Sequence, residues 1–172
     1  MPEPILDLGC GSNKLPQALG LDLARRPGVD VVADVSQGLP FAPGSFAQVR
    51  LRHLVEHVTD LVGLMAEVHR VCRPGAQVYI LTPHFSAAAS YHDPTHQHHF
   101  SLNSFDYFCG LAAEDFTPLS YGFAMIHKRL IFGRKGRLGL DAWANRHPGL
   151  YEQHLAFLLP ALEIEVILRA IK

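Results

Sequence analysis

Little in this sequence offers a surplus of charge, a cross-link or a greasy span. Lysine and arginine number 15 against 16 aspartates and glutamates, a formal net charge of −1. No global field therefore draws the chain to nucleic acid or to an anionic membrane, and any such contact would be local. The three cysteines, Cys10, Cys72 and Cys109, lie far apart without a C-x-x-C pair. That excludes a disulfide framework or zinc knuckle and reads as reduced thiols in a cytoplasmic protein. The longest apolar stretch, Leu155 to Leu162, is short and broken by Pro160, and no basic, apolar leader precedes Ile5. Neither a transmembrane helix nor a signal peptide is expected. Repeats, linkers and low-complexity tracts are also missing. What remains, 172 residues that are 48% hydrophobic and 18% charged, is the size of one domain with a full core.

What is present begins with a strand that stops on glycines. In Pro4-Ile5-Leu6-Asp7-Leu8-Gly9-Cys10-Gly11 an apolar run ends in Asp-x-Gly-x-Gly, where glycine lets the backbone turn back close to a bound group. Leu19-Gly20-Leu21-Asp22-Leu23 reads as a second strand ending on a carboxylate, the position that holds ribose hydroxyls in dinucleotide folds. Asp7 and Asp22 are only 15 positions apart, so the helix between them is expected to shrink to about one turn around Lys14 to Ala18. Val29 to Ala33 running into Asp34, Gln48 to Leu54 and Gln77 to Leu81 read as three further strands. A helix starts at Asp60, with Leu61, Leu64, Met65, Val68 and Val71 at helical spacing, Arg70 and Arg73 near its end and Pro74-Gly75 stopping it. Beyond Asn103 a short helix is expected over Ser104 to Leu111 and strand character over Leu119 to Phe132. An amphipathic helix from Trp143 to Leu159, interrupted near Pro148-Gly149, places Leu155, Phe157, Leu158 and Leu159 in the core, and Leu162 to Ile171 is a last strand. The fold class is α/β, Rossmann-like and doubly wound. Its sheet is mostly parallel, with an antiparallel C-terminal edge strand and a short first crossover helix.

In five places the sequence resembles the class I S-adenosylmethionine-dependent methyltransferases. These are Ile5 to Gly11; Asp22; Ala33-Asp34 with Leu39-Pro40-Phe41 and Ser45-Phe46; His53-Leu54-Val55-Glu56-His57; and Glu67-Val68-His69-Arg70-Val71-Cys72-Arg73-Pro74-Gly75. They occur in the family's order. Asn13 stands where a third glycine is frequent, and Ala47 replaces an aspartate common after Ser-Phe. The continuation Gly11-Ser12-Asn13-Lys14, Asp93-Pro94-Thr95-His96, Ser104 to Phe108, Ala144 to Pro148 and Leu150-Tyr151-Glu152 resemble a compact bacterial subgroup of the type 11-like kind. The resemblance implies S-adenosylmethionine as cofactor. It implies one methyltransferase domain over 1–172: a cofactor core at 4–83, a His-rich lid and acceptor segment at 84–111, and C-terminal strands and helix at 112–172. Cofactor contacts are then expected from Asp7, Gly9, Cys10, Gly11, Asp22, Leu23, Asp34, Val35 and His53.

The unusual count is histidine, at 11, and six of the positions from His84 to His99 are His or Asp. A long segment without a period, following a strand, is more often a functional lid than a plain connection. Methyl transfer from a sulfonium is an in-line displacement, so the protein mainly aligns the acceptor and keeps water out. A histidine or carboxylate helps where the acceptor must lose a proton. His84, Asp93, His96 and His99 are therefore the catalytic candidates, with no metal assigned. Two other readings of the segment stand beside this one: hydrogen-bonded structural histidines around an Asp93-Pro94 turn, and metal ligation by His92, Asp93, His96 and His99. His57 reads as a packing or capping residue and His53 as the better site residue. The partner expected is a small or medium acceptor, anionic or lipid-linked if the basic stretch Lys128, Arg129, Arg134, Lys135 and Arg137 docks it; nucleic acid is not expected. A cofactor-binding regulator without turnover and a metalloprotein are the alternatives to an enzyme.

Overall fold

A computed structural model describes residues 3–111, 119, 121–133 and 139–172. Seven strands form one sheet: β1 (Ile5–Leu8), β2 (Leu19–Asp22), β3 (Val31–Val32), β4 (Phe46–Arg52), β5 (Cys72–Pro83), β6 (Gly122–Ile131) and β7 (Glu163–Ile171), in the order β3-β2-β1-β4-β5-β7-β6. The first five run parallel. β7 is antiparallel to both β5 and β6, so the reversed strand sits one place in from the edge. At Leu130 the outermost strand is met by Asn145, whose side-chain amide donates to the Leu130 carbonyl and accepts from its N–H.

The helices are α1 (Leu61–Val71), α2 (Ala89–His92), α3 (Leu140–Arg146) and α4 (Pro148–His154), with 3-10 turns at Val35–Gln37, Val55–His57 and Ser104–Cys109. Asp60 caps α1 by accepting from the Gly63 N–H at 2.8 Å, the role its side-chain oxygen has at a helix start. Alternation along the strands sends Leu6, Leu8, Val49, Leu51, Val78, Ile80, Ile164 and Val166 to one face, where they form the core with Leu64, Met65, Val68, Phe105 and Tyr151. The opposite face carries Asp7, Gln48, Arg50, Gln77, Tyr79 and Arg169 in register, with Ile5, Leu81 and Ile167 among them, a largely polar surface among the described residues.

Three expectations need correction. The short crossover helix around Lys14 to Ala18 is replaced by turns, Asn13 N–H to Cys10 O and Ala18 N–H to Leu15 O, because the span is too short to enter and leave a helix. Phe157 and Leu158 are 74% and 76% exposed rather than core, since α4 ends at His154 and the chain turns before Pro160. Within the basic stretch, Lys128 is paired with Asp106 and Arg129 with Glu165; Arg134, Lys135 and Arg137 lie outside the described residues.

One clamp explains two of the sequence signatures. Glu67 accepts from the Leu39 N–H at 2.8 Å, while Arg70 donates to Glu67, to the Phe41 carbonyl at 2.8 Å and to the Leu39 carbonyl at 2.9 Å. The pair on α1 thus fixes the Leu39-Pro40-Phe41 loop that follows β3. Replacing Glu67 by Ala leaves the Leu39 N–H and the guanidinium without their acceptor in a partly buried place, and should cost about 1–3 kcal/mol. Chemical denaturation of wild type and Glu67→Ala checks this; equal midpoints would show that the clamp holds nothing.

Candidate functional site

The loop after β1 is tied to β2 by its own backbone. The N–H groups of Gly9 and Cys10 donate to the Leu21 carbonyl at 2.8 and 3.2 Å, and the Gly11 N–H donates to Asp22 Oδ2 at 2.8 Å. Gly9 and Gly11 take φ values of +63° and +53°, a region open to glycine at little cost. A Cβ on Gly9 would meet Leu54 Cδ1 at 3.0 Å. A Cβ on Gly11 would meet nothing within 4 Å and project into open space. Buried Asp7 supports the loop from below, accepting from the Leu15 N–H at 2.7 Å and from Arg50 Nη1 at 3.2 Å.

Beyond the carboxyl ends of the strands lies a cleft of about 810 Å³. Of the expected cofactor residues, Gly9, Gly11, Asp22, Leu23, Asp34, Val35 and His53 line it. Asp7 and Cys10 face an adjoining basin of about 370 Å³, shared by Arg26, Arg50 and Arg52. Asp22 also accepts from the Ala24 N–H at 3.0 Å. Asp34 accepts from the Ser36 N–H at 2.9 Å, and that bond and the Ser36 side chain hold its carboxyl below the usual range. Burial, aided by the charge of Asp7, pushes the Cys10 thiol up, so it remains neutral.

His53 sits at the end of β4 with φ +50°, a conformation that a non-glycine residue keeps only when its surroundings over-determine it. Its Nε2 meets Glu163 at 3.1 Å and its Nδ1 meets Glu56 at 3.3 Å. The hydrogen bond to Glu163, then that to Glu56, raises its pKa to about 9. The ring is a fixed cation on the cleft wall, 37% exposed, and does not serve as a base.

The four catalytic candidates part company. Asp93 lines the cleft beside Thr95, whose hydroxyl and N–H both donate to it, at 2.7 and 2.8 Å. His96 stacks edge-on against His57, with centroids 4.6 Å apart. His99 is turned to Ser90 Oγ at 2.8 Å and against the Tyr91 ring, and does not line the cleft. His84 is sealed from solvent, with Nδ1 on Ser86 and Nε2 on Glu152 Oε1 at 3.1 Å. With both nitrogens engaged in the interior, His84 supports the fold, and the cleft lining does not include it. His92 and His99 are likewise not gathered with Asp93 and His96 as one ligand set. Reading by residue type missed His57, Leu54, Thr59 and Arg26, which line the cleft. The run His53 to His57 held the signal for His57, since a short turn after β4 returns it to the same opening.

A family model described as a methyltransferase domain matches residues 16–80. Over that stretch the chain is similar to methyltransferase domains. The match takes in Asp22, Asp34, His53 and the Glu67–Arg70 clamp, and stops before the His-rich segment. A demethylmenaquinone methyltransferase of Renibacterium salmoninarum is 32% identical over 81 residues, 45% of this chain and 34% of that protein. The chain thus spans about a third of the length of that curated relative. The fold matches an S-adenosylmethionine dependent methyltransferase from Mesorhizobium loti, with a TM-score of 0.60 at 20% identity over 98% of this chain and 93% of that one. A SAM dependent methyltransferase from Archaeoglobus fulgidus matches with a TM-score of 0.63 at 17% identity over 97% and 86%. S-adenosylmethionine is the cofactor named for the Mesorhizobium loti protein, and the residues of this cleft fit such a group. Gly11 lines the cleft and leaves open space where a Cβ would stand, the cleft is of ligand size, and Asp22 has two of its roughly four acceptor sites engaged.

The His53 bridge sets a testable pH dependence. Its folded pKa lies above the ordinary value of 6.5, at about 9. The stabilisation is therefore complete below the unfolded value and lost as pH rises through about 9. The stability gap between wild type and His53→Gln should be widest near pH 6 and close by pH 10. Ring chemical shifts that titrate near 6.5 would contradict the bridge.

Proposed function

We propose that the domain transfers the methyl group of S-adenosylmethionine to a small-molecule acceptor placed at the His57, Asp93 and Thr95 side of the cleft. The observation that carries this reading is one opening lined both by Gly9, Gly11, Asp22 and Asp34, which follow or end β1, β2 and β3, and by His57, Asp93 and Thr95, joined to the turn after β4. The bound cofactor supplies an electrophilic methyl on a sulfonium sulfur.

The rest falls to the protein. Gly11 gives the cofactor chain room, Asp22 accepts from the ribose hydroxyls, and Asp34 faces the adenine end. Leu23, Leu54 and Val58 supply the apolar lining, against which a bound cofactor and acceptor displace water. At the acceptor end, Asp93 takes both donors of Thr95, and these lower its pKa; it stays ionised and orients a donor group of the acceptor. His57 has Nδ1 on Thr95 Oγ1 at 2.9 Å. Because the Thr95 hydroxyl donates to Asp93, the His57 Nδ1 carries the proton and its Nε2 is left with a lone pair. The polar wall suits a small acceptor that carries donors.

Isothermal titration tests the reading. Wild type should bind S-adenosylmethionine and its demethylated product, S-adenosylhomocysteine. Gly11→Ala, whose new methyl enters the open cradle, should bind both at least tenfold more weakly at a cost in fold stability of about 1 kcal/mol for the left-handed φ. No heat with either compound for the wild type would end the proposal.

A further inference from the structure

We infer that Glu56, His57 and His96 form a binding site for a divalent transition-metal ion at the edge of the cleft. One ligand atom from each lies within 4.8 Å of the other two. A tetrahedral ion with bonds of about 2.1 Å needs its ligands about 3.4 Å apart, so small side-chain adjustments close the set.

Both rings are already in the tautomer that a metal requires. His57 gives its Nδ1 proton to Thr95 Oγ1, which passes its own to Asp93. His96 Nδ1 faces the Ser90 carbonyl at 3.0 Å; a carbonyl only accepts, so that nitrogen also carries the proton. In the neutral ring Nε2 is then the nitrogen open to an ion, and each ring is oriented by an outer partner in the way that ligating histidines are held. Glu56 is 1% exposed, an expensive place for a carboxylate. Its Oε2 accepts from the Thr82 hydroxyl at 3.0 Å, and its other oxygen has only the long contact to His53.

The backbone fixes the juxtaposition before any ion arrives. The N–H groups of Gln97 and His98 donate to the Glu56 carbonyl at 2.7 and 3.3 Å, and His98 Nε2 donates to the Val58 carbonyl at 2.8 Å. These bonds stitch the His-rich segment onto the 3-10 turn after β4. Two imidazoles with one carboxylate select zinc, iron(II) or a neighbouring metal over magnesium or calcium, which take oxygen sets. Three protein ligands leave a position open, and His57 is itself part of the cleft wall.

Metal analysis decides the matter without any assay of turnover. Protein made without a His tag is stripped with chelator, given excess zinc sulfate, desalted and measured by mass spectrometry. Wild type and His154→Ala, an exposed histidine far along the chain, should retain one zinc per chain. His57→Ala and His96→Ala should retain none, and Thr95→Val should weaken the affinity about 10–100-fold. Cobalt(II) titrated into wild type should give visible absorption of a nitrogen and oxygen coordinated ion, a readout that does not depend on any variant folding. Wild type that retains no zinc, a featureless cobalt spectrum, or equal retention in folded His57→Ala and His96→Ala would overturn the site. Cofactor binding is measured separately, so a failure here is distinct from a failure of the methyl-transfer reading.

Discussion

The structure depends on how a glycine loop is held when no helix follows it. A helix after β1 would use its own ladder to keep the loop in place. Here four N–H groups find partners elsewhere: Gly9 and Cys10 on the Leu21 carbonyl, Gly11 on Asp22, and Leu15 on Asp7. Buried donors left without partners would cost more than the loop could tolerate. The short connection is thus possible only because β2 and two aspartates take the place of the helix. Asp22 consequently supports the loop and lines the cleft at once, and removing it would disturb the loop.

The same economy extends to the far end of the sheet. β7 runs against its neighbours, so its first residue, Glu163, arrives at the carboxyl end of β4 and β5 and meets His53. A strand near the end of the chain thereby holds a left-handed residue on the wall of a cleft built from the first third of the chain. Glu56 bridges from the other side, to His53 and to Thr82 on β5. Around the cleft, charges are paired across elements distant in sequence, which keeps its shape.

Much of this was legible in the sequence, for local reasons. Asp7, Gly9 and Gly11 announce a strand that must turn sharply. Asp22 and Asp34 stand where strands end, and the i, i+3, i+4 spacing from Leu61 to Val71 describes α1 well. The mostly parallel sheet and its antiparallel C-terminal edge followed from the alternation of strands with helices and short crossovers, whereas the full strand order was not legible. Side-chain direction was not legible. His84, at a strand end and flanked by a long segment, reads like a site residue, yet it is buried on Glu152, a partner 68 positions away that no local pattern reveals. Phe157 and Leu158 look like core by type, and only the early end of α4 leaves them outside. His57 and His96 are separated by 39 positions, and their meeting depends on backbone bonds from Gln97 and His98 that sequence spacing does not encode.

The most direct measurement of the central claim is a crystal structure of the chain with S-adenosylhomocysteine. The account requires the ribose at Asp22, the adenine toward Asp34, and the sulfur pointing to the His57, Asp93 and Thr95 side of the cleft. A ligand bound with its sulfur away from that side, or seated outside the cleft lined by Gly9 and Gly11, would contradict it.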